Sequence, residues 1–404
     1  MVLDAPYPED GRVTKEATAL VSAGHEVYLL CVRRTGEDEE ADIGGIHICR
    51  IERGLSELSK TLHDSLNAIR WRHLSFDREL PGFIERFGIQ ALHVHDLPLA
   101  GSVRLAANSA QLPWVLDLHE NYPAGLQVWH THKTNPLVRL KNWALFGYQR
   151  WTSYERRMVL AADAVIAVVE EMKQRLMDLH ELPSEHIYIV TNSEWRDFMA
   201  QFSPVAEARD SYPDNYVLLY LGYFGPHRGV DTVIEAMPGI LTEIPEARFV
   251  IIGRGSLQPK LERLADSLGV ADRVDFLGFK PYAQVGSWMQ RADVNVIPHK
   301  RNGHTDNTVP HKLFQSMQSG RPTLVSSSPP LARIAAETGG AAVFEAENPK
   351  SLAEAVIELH SNQHQREGYV SAAIKHTVEG DYNWDTDSQN LVALYDELSR
   401  MHAI

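Results

Sequence analysis

The 404-residue chain has little cysteine, with only Cys31 and Cys49 present. Two thiols cannot make a disulfide framework, and they form no cluster with metal-ligand spacing, so a reducing compartment is expected. Positive charge is also short. Lys and Arg total 39 against 53 Asp and Glu, a formal charge of −14. That balance argues against a nucleic-acid partner, which would select a basic face. A phosphate ligand stays open, because one or two cations at a helix N-terminus suffice to hold it. No apolar run approaches the roughly 18 residues that cross a bilayer. Met1-Val2-Leu3-Asp4 lacks the basic and apolar regions of a signal peptide. A cytoplasmic protein is expected. There is no short-period repeat or low-complexity tract. Residue types leave metal binding possible, but no cysteine cluster supports it, and neither a metal nor a cofactor is expected.

What the chain does have is a rhythm. Short β-branched runs alternate with amphipathic stretches, which predicts βαβ units and parallel sheets. The first half predicts strands at Val2–Ala5, Val27–Cys31, Ala91–His95, Trp114–His119, Ala164–Val168 and Ile187–Val190. A helix over Thr14–Ala23 ends at Gly24. The polar stretch Ser203–Asn215, with two prolines, reads as a linker. The rhythm then restarts, with strands at Tyr216–Gly222, Arg248–Gly253, Arg273–Gly278, Val294–His299 and Pro322–Ser326. Helices over Gly229–Thr242 and Leu257–Leu268 separate them. The length fits two α/β domains in tandem, about 1–205 and 206–380. A final helix within 381–404 carries Trp384, Leu391, Leu394, Tyr395 and Leu398 on one face.

Ligands of open parallel sheets bind beyond the carboxyl ends of the strands. Four such ends carry chemistry. Gly222-Tyr-Phe-Gly-Pro-His-Arg228-Gly229 leads into a helix and fits a phosphate cradle with Arg228 as its fork; a plain surface loop is the other reading. Gly253-Arg254-Gly255 resembles half of a dinucleotide fingerprint, but Gln258 stands where the third small residue belongs. Pro298-His299-Lys300 precedes a polar loop and the segment Val309–Met317. There Pro310 suits a first helical turn, and Lys312, Gln315 and Ser319 share nearby faces. In the first half, His93-Val-His95-Asp96 and Asp117-Leu-His119-Glu120 crowd two strand ends. Such groups suit acid–base work, sugar hydroxyls or ordinary structural hydrogen bonds. The stretch 135–157 mixes Arg139, Lys141, Arg150, Arg156 and Arg157 with Trp143, Phe146, Tyr148 and Trp151, as a core helix or an anionic-membrane contact would.

Together these stretches resemble glycosyltransferase family 4, a group of GT-B enzymes. The likeness covers nearly the whole chain and is densest from Tyr220 to Ser326. It rests on YLGYFGPHRGVDTVIEAM, RFVIIGRG, DRVDFLGF and VPHKLFQSMQSGRPTLVSS, and in the first half on EDGRVTKEATALVSAGHEVYLL, DLHENYP and ADAVIAVVEEM. The resemblance implies an α/β GT-B fold. Two Rossmann-like domains face a cleft, and the C-terminal helix packs back on the first. It implies a retaining transfer from a nucleotide-diphosphate sugar, UDP- or GDP-linked, to a glycan, lipid-linked or small-molecule hydroxyl, with no required metal. Arg228 and Lys312 would grip the diphosphate, and His119 would contact the transferred sugar. Gly222, Tyr223, Gly253, Phe279, His299, Asn307, Thr308, Val309 and Gln315 would line the donor site, with Arg12, Asp96 and Glu120 toward the acceptor. The paired glutamates common in the family read here as Asn307 and Gln315. Gln315 can still accept from a ribose hydroxyl, but as a neutral group. A nucleotide-binding member without transfer activity and a sugar-nucleotide epimerase are the alternatives. The expected setting is the cytoplasm, with peripheral contact at the inner membrane face through 135–157.

Overall fold

The computed structural model describes residues 1–8, 11–52, 65–130 and 135–402. Glu9 and Asp10 of the first motif and the last two residues of the expected C-terminal helix lie outside them. The chain forms two compact units. One is Met1–Thr191 with Asp387–Ile404, and the other is Asn192–Thr386.

The first unit contains β1 (Val27–Val32), β2 (Glu40–Ile43), β3 (Ile46–Ile51), β4 (Leu92–His95), β5 (Trp114–Leu118), β6 (Ala164–Ala167) and β7 (Ile187–Ile189). Strands run β2-β3-β1 and β4-β5-β6-β7. Val2 bridges to Leu30 on β1 and Val94 on β4, both parallel, and so joins the two groups. The expected first strand is reduced to this bridge. Among the described residues the β2–β3 hairpin is the one antiparallel pair, with Glu40 opposite Cys49. Neither strand was among those expected: β2 is nearly all exposed and carries no apolar alternation, whereas β3 buries Ile46, Ile48 and Ile51 and was overlooked. β4 to β6 are buried along their whole length, as parallel strands covered on both faces must be.

The second unit adds β8 (Tyr216–Leu221), β9 (Ala247–Ile252), β10 (Val274–Phe276), β11 (Val294–Ile297), β12 (Thr323–Ser326) and β13 (Ala342–Phe344). Their order is β10-β9-β8-β11-β12-β13, and every pairing is parallel. In order of appearance this is 3-2-1-4-5-6, the doubly wound arrangement, whose strand order reverses between β8 and β11. The Val230–Glu243 helix buries Val233, Ile234, Met237 and Ile240. That spacing puts one apolar stripe on the sheet, and each side chain contributes about 1.5–3 kcal/mol.

The expected linker is not one. Residues Ala206–Asp210 are helical, with Ala208 fully buried against a cluster that includes Trp288. Val205 N–H donates to Ser287 Oγ at 3.1 Å, and Arg291 Nε donates to the Ser211 carbonyl at 2.8 Å. Polar composition concealed a segment held by backbone hydrogen bonds. The unit begins instead at Asn192, whose side chain donates to the Val309 carbonyl at 3.0 Å. At the other end the Trp384 N–H donates to the Glu194 carbonyl at 2.8 Å. The Trp384–His402 helix passes from this unit into the first. Within the first unit it sets the Tyr395 hydroxyl 2.9 Å from His93 Nδ1.

Candidate functional site

The carboxyl ends of β8 and β11 flank the reversal point of the second unit. β8 runs into Gly222 at φ 128°, where a Cβ would lie 2.3 Å from Lys312 Nζ. Gly253, after β9, has φ 143°, and a Cβ there would lie 2.0 Å from the Gly222 carbonyl oxygen. Only glycine serves at either place, because the backbone is left-handed and the space is taken. Gly222 N–H donates to the Ile252 carbonyl and Gly253 N–H to the Gly278 carbonyl, each at 2.8 Å. Three strand ends are thereby locked together.

Lys312 lies in the first turn of the His311–Gln318 helix, with Pro310 at its N-cap. Its ammonium donates to the Leu221 carbonyl at 2.5 Å and sits 4.7 Å from the centre of the Tyr220 ring. Arg228, just before the Val230–Glu243 helix, donates through Nη1 to His299 Nε2 at 2.9 Å. His299 is fully buried after β11 and accepts this bond as a neutral imidazole. Arg228 Nε is buried with no hydrogen-bond partner. Among the described residues neither Arg228 nor Lys312 has a carboxylate partner. The nearby Lys300 is neutralised by Asp231 at 2.6 Å.

Burial and this uncompensated charge act together on the neighbouring titratable groups. Burial, and then the charge of Arg228, pull Lys312 well below the usual lysine range. Burial followed by Arg228 and Lys312 holds His299 far below the ordinary imidazole value. His227 falls to about 2, from burial first and Arg228 next. Positive charge on Lys312, His299 and His227 is disfavoured, and an anion entering the site would relieve it. A helix N-terminus and a glycine loop at a reversal point are the usual surroundings of a bound phosphate.

The other expected donor residues vary in placement. Tyr223 is 54% exposed and Phe279 71%, with the Arg254 guanidinium over the Phe279 ring at 5.8 Å. Asn307 donates to the Gly303 carbonyl at 2.8 Å, Thr308 is half-buried and Val309 is buried. Gln315 donates to Glu194 Oε1 at 2.8 Å. Glu194 was not foreseen. It restores a carboxylate beside the neutral Gln315, from a position 121 residues away, and nothing in the local sequence marks it.

The first unit gathers a second cluster. Side chains at i and i+2 of a strand share a face, so His93 and His95 of β4 stand side by side, with ring centres 4.5 Å apart. Asp117 of β5 and His119 follow the same rule, and His119 Nε2 lies 2.6 Å from Asp117 Oδ2. Burial pushes His119 down, but Asp96 and then Asp117 outweigh it and hold the imidazole at about 10. Asp96 sits 3.5 Å from His119 Nδ1 on a strained backbone of φ 70°. Glu120 is half-buried. Arg12 is 2% exposed and donates to Asp117 and to the Val190 carbonyl. The Asp117 carboxylate lies between the Arg12 guanidinium and His119.

The segment 135–157 divides in two. Trp151 and Tyr154, on the Tyr148–Val159 helix, are core residues. On the Pro136–Phe146 helix, Leu137, Leu140 and Trp143 are 78%, 62% and 77% exposed. Beside them Trp71, Tyr122, Trp129, Phe146 and Trp151 wall a cavity of about 750 Å³ that also holds Lys141 and His73. Among the described residues, no helix is long and apolar enough to cross a membrane.

Comparison with known proteins adds a frame to this geometry. Residues 12–193 match the family described as Glycosyltransferase Family 4. Residues 205–376 match the family described as Glycosyl transferases group 1. The chain is 30% identical over 393 residues to an uncharacterized glycosyltransferase of Methanocaldococcus jannaschii, covering 94% of this chain and 91% of that one. Sucrose-phosphate synthase from Thermosynechococcus elongatus superposes with a TM-score of 0.77 at 16% identity, over 99% of this chain and 95% of that one. HepE of Anabaena, solved in complex with UDP-glucose, superposes with a TM-score of 0.68 at 14% identity, over 98% of each chain. The last two likenesses establish the GT-B fold.

Proposed function

The chain belongs to glycosyltransferase family 4, and on that premise we propose that it moves a sugar, with retention at the anomeric carbon, from a nucleotide diphosphate to a hydroxyl acceptor. The observation that carries the reading is the pair Arg228 and Lys312, two cations at the reversal point with no carboxylate partner among the described residues. The donor diphosphate supplies the missing anion. As the bond from the anomeric carbon to the phosphate oxygen breaks, negative charge grows on that phosphate. Arg228, Lys312 and the free N–H groups opening the Val230–Glu243 helix are already in place to stabilise it. Gln315, with Glu194 beside it, accepts from the ribose hydroxyls. In the first unit, His119 is the group suited to a sugar hydroxyl. Neutral Asn307 and Gln315 are no obstacle on this reading, because Glu194 brings a carboxylate to the same place.

HepE, with its bound UDP-glucose, makes UDP the first nucleotide to test. The experiment is a thermal-shift panel of UDP, GDP and ADP, since a ligand that binds only the folded chain raises its apparent stability. Measurement of nucleotide released from the matching sugar donors follows. A raised midpoint with one nucleotide and steady release of it from its donor are expected. If no nucleotide shifts the midpoint, the donor site is wrongly assigned. Binding without release would favour a non-transferring member, and an epimerised donor recovered without acceptor would favour an epimerase.

The aromatic cavity of the first unit is the acceptor site on this reading. Its ring faces suit the apolar face of a sugar or the hydrocarbon of a lipid-linked acceptor. Leu137, Leu140 and Trp143, flanked by Arg139 and Lys141, suit the surface of an anionic bilayer. The full chain is expected to co-sediment with phosphatidylglycerol vesicles at low salt. Leu140→Ser with Trp143→Ser should abolish this and leave nucleotide binding unchanged. Equal sedimentation of the double variant would refute the contact.

A further inference from the structure

Four fully buried side chains in the first unit do not belong to the donor chemistry: Glu16 on the Gly11–Ser22 helix, His93 and His95 on β4, and Asp117 on β5. One ligand-type atom from each lies within 4.8 Å of all the others. His93 Nε2 is 3.5 Å from Glu16 Oε2 and 3.7 Å from Asp117 Oδ2. His95 Nδ1 is 3.9 Å from Glu16 Oε2 and 3.2 Å from Asp117 Oδ2. Three of these four spacings are too long for hydrogen bonds. All four are close to the separation of ligands around a tetrahedral ion, roughly 3.3 Å for bonds of about 2.0 Å. His93 Nε2, on a side chain 1% exposed, has no hydrogen-bond partner and is aimed between the two carboxylates. A buried nitrogen left this way is costly unless something fills the space it faces.

We propose that Glu16, His93, His95 and Asp117 form a buried tetrahedral site for a divalent transition metal of the zinc type, ligated through Glu16 Oε2, His93 Nε2, His95 Nδ1 and Asp117 Oδ2.

The surrounding groups are arranged as metal ligands require. The Tyr395 hydroxyl lies 2.9 Å from His93 Nδ1; in the metal-bound form it would accept a hydrogen bond from Nδ1–H and leave the Nε2 lone pair facing inward. Arg12 lies 2.9 Å from Asp117 Oδ1 through Nη2 and 2.9 Å from Glu16 Oε1 through Nε. Each carboxylate thus gives one oxygen mainly to the guanidinium and turns the other to the imidazoles. Arg12 Nε also approaches Asp117 Oδ2 at 3.3 Å. The set holds two carboxylates against the Arg12 guanidinium, while His119 beside it is paired with a third carboxylate, Asp96, at 3.5 Å, which leaves negative charge for a dication to balance. Imidazole and carboxylate in a tetrahedral set select zinc over calcium or magnesium, which prefer oxygen ligands in larger number. His119 stays outside the set and donates to the bound Asp117 oxygen. The ion would therefore brace the strand ends that present His119, with no open position for catalysis.

The test uses the full chain, stripped with a chelator, desalted and titrated with Zn²⁺. One zinc per chain should survive gel filtration and raise the melting temperature. Co²⁺ in its place should give the intense visible absorption of a tetrahedral site. Tyr395→Phe keeps the packing and removes only the acceptor for His93 Nδ1; zinc affinity should fall about 10- to 100-fold. His93→Ala should lose the site, while His186→Ala, an exposed histidine, should keep it. Absence of retained zinc in the wild type, or full zinc binding by a folded His93→Ala protein, overturns the proposal. If His93→Ala does not fold, the cobalt spectrum decides: octahedral absorption refutes the site. None of these readouts depends on sugar transfer.

Discussion

Arg228→Ala isolates the charge on which the donor reading rests. Arg228 Nη1 is committed to His299 Nε2 at 2.9 Å, and Nε is buried without a partner. Nε and Nη2 therefore remain for the diphosphate as two charge-assisted hydrogen bonds. Each such bond contributes about 1.5–3 kcal/mol. The two share one anion and do not add fully, so a loss of about 3–4 kcal/mol is reasonable, or about 10²–10³-fold in kcat/KM. Nucleotide affinity should fall as well, because the contact already exists before the bond breaks. Arg228→Lys keeps a point charge and loses the planar fork, so it should recover only part of the effect. The assays are calorimetric titration with the nucleotide that raises the melting point, and initial rates of its release from the sugar donor. Relief of the repulsion on Lys312 and His299 works in the opposite direction and sets the lower end of the range. A folded Arg228→Ala protein within roughly threefold of wild type in both affinity and kcat/KM would refute the assignment.

Gly222→Ala should cost about 1–3 kcal/mol in a urea melt, because it forces a Cβ into left-handed backbone against Lys312 Nζ. Nucleotide binding should weaken with it; unaltered stability and binding would place Lys312 elsewhere. For pH, His227 is held at about 2 in the folded chain, against an ordinary 6.5. Below pH 6.5 the unfolded chain takes up a proton that the folded chain refuses, so stability is lost as pH falls from 6.5 toward 2. At pH 5 this amounts to about 2 kcal/mol. Urea midpoints at pH 7 and pH 5 should diverge less in His227→Gln, and an equal divergence would show that His227 does not carry the effect.

How much of this was legible in the chain depends on the range of the interaction. Near-continuous apolar runs predicted β4 to β6 and β8, β9, β11 and β12 within a few residues, because burial on both faces leaves that mark locally. Arg228, Lys312 and the glycines at 222 and 253 were legible too, since a strand end, a left-handed turn and a helix start are neighbours in sequence. β2, with its exposed side chains, carried no such mark. The segment 203–215 was misread for a different reason: its backbone at Val205 and Ser211 is held by the Ser287 and Arg291 side chains, which local composition does not show.

The sequence by itself determined that two parallel α/β units would form, and that cations would stand at the strand ends of the second. Tertiary structure alone decided which charges are left unpaired. Lys300 has Asp231, while Arg228 and Lys312 have no carboxylate among the described residues. It also decided that Glu194 stands by Gln315, and that Glu16 meets His93, His95 and Asp117. Strand alternation could say that His93 and His95 share a face, and no more. Which groups face them across a sheet or from a helix is set by register and packing. A charge buried by those contacts acquires an energy that its own neighbours in sequence do not encode.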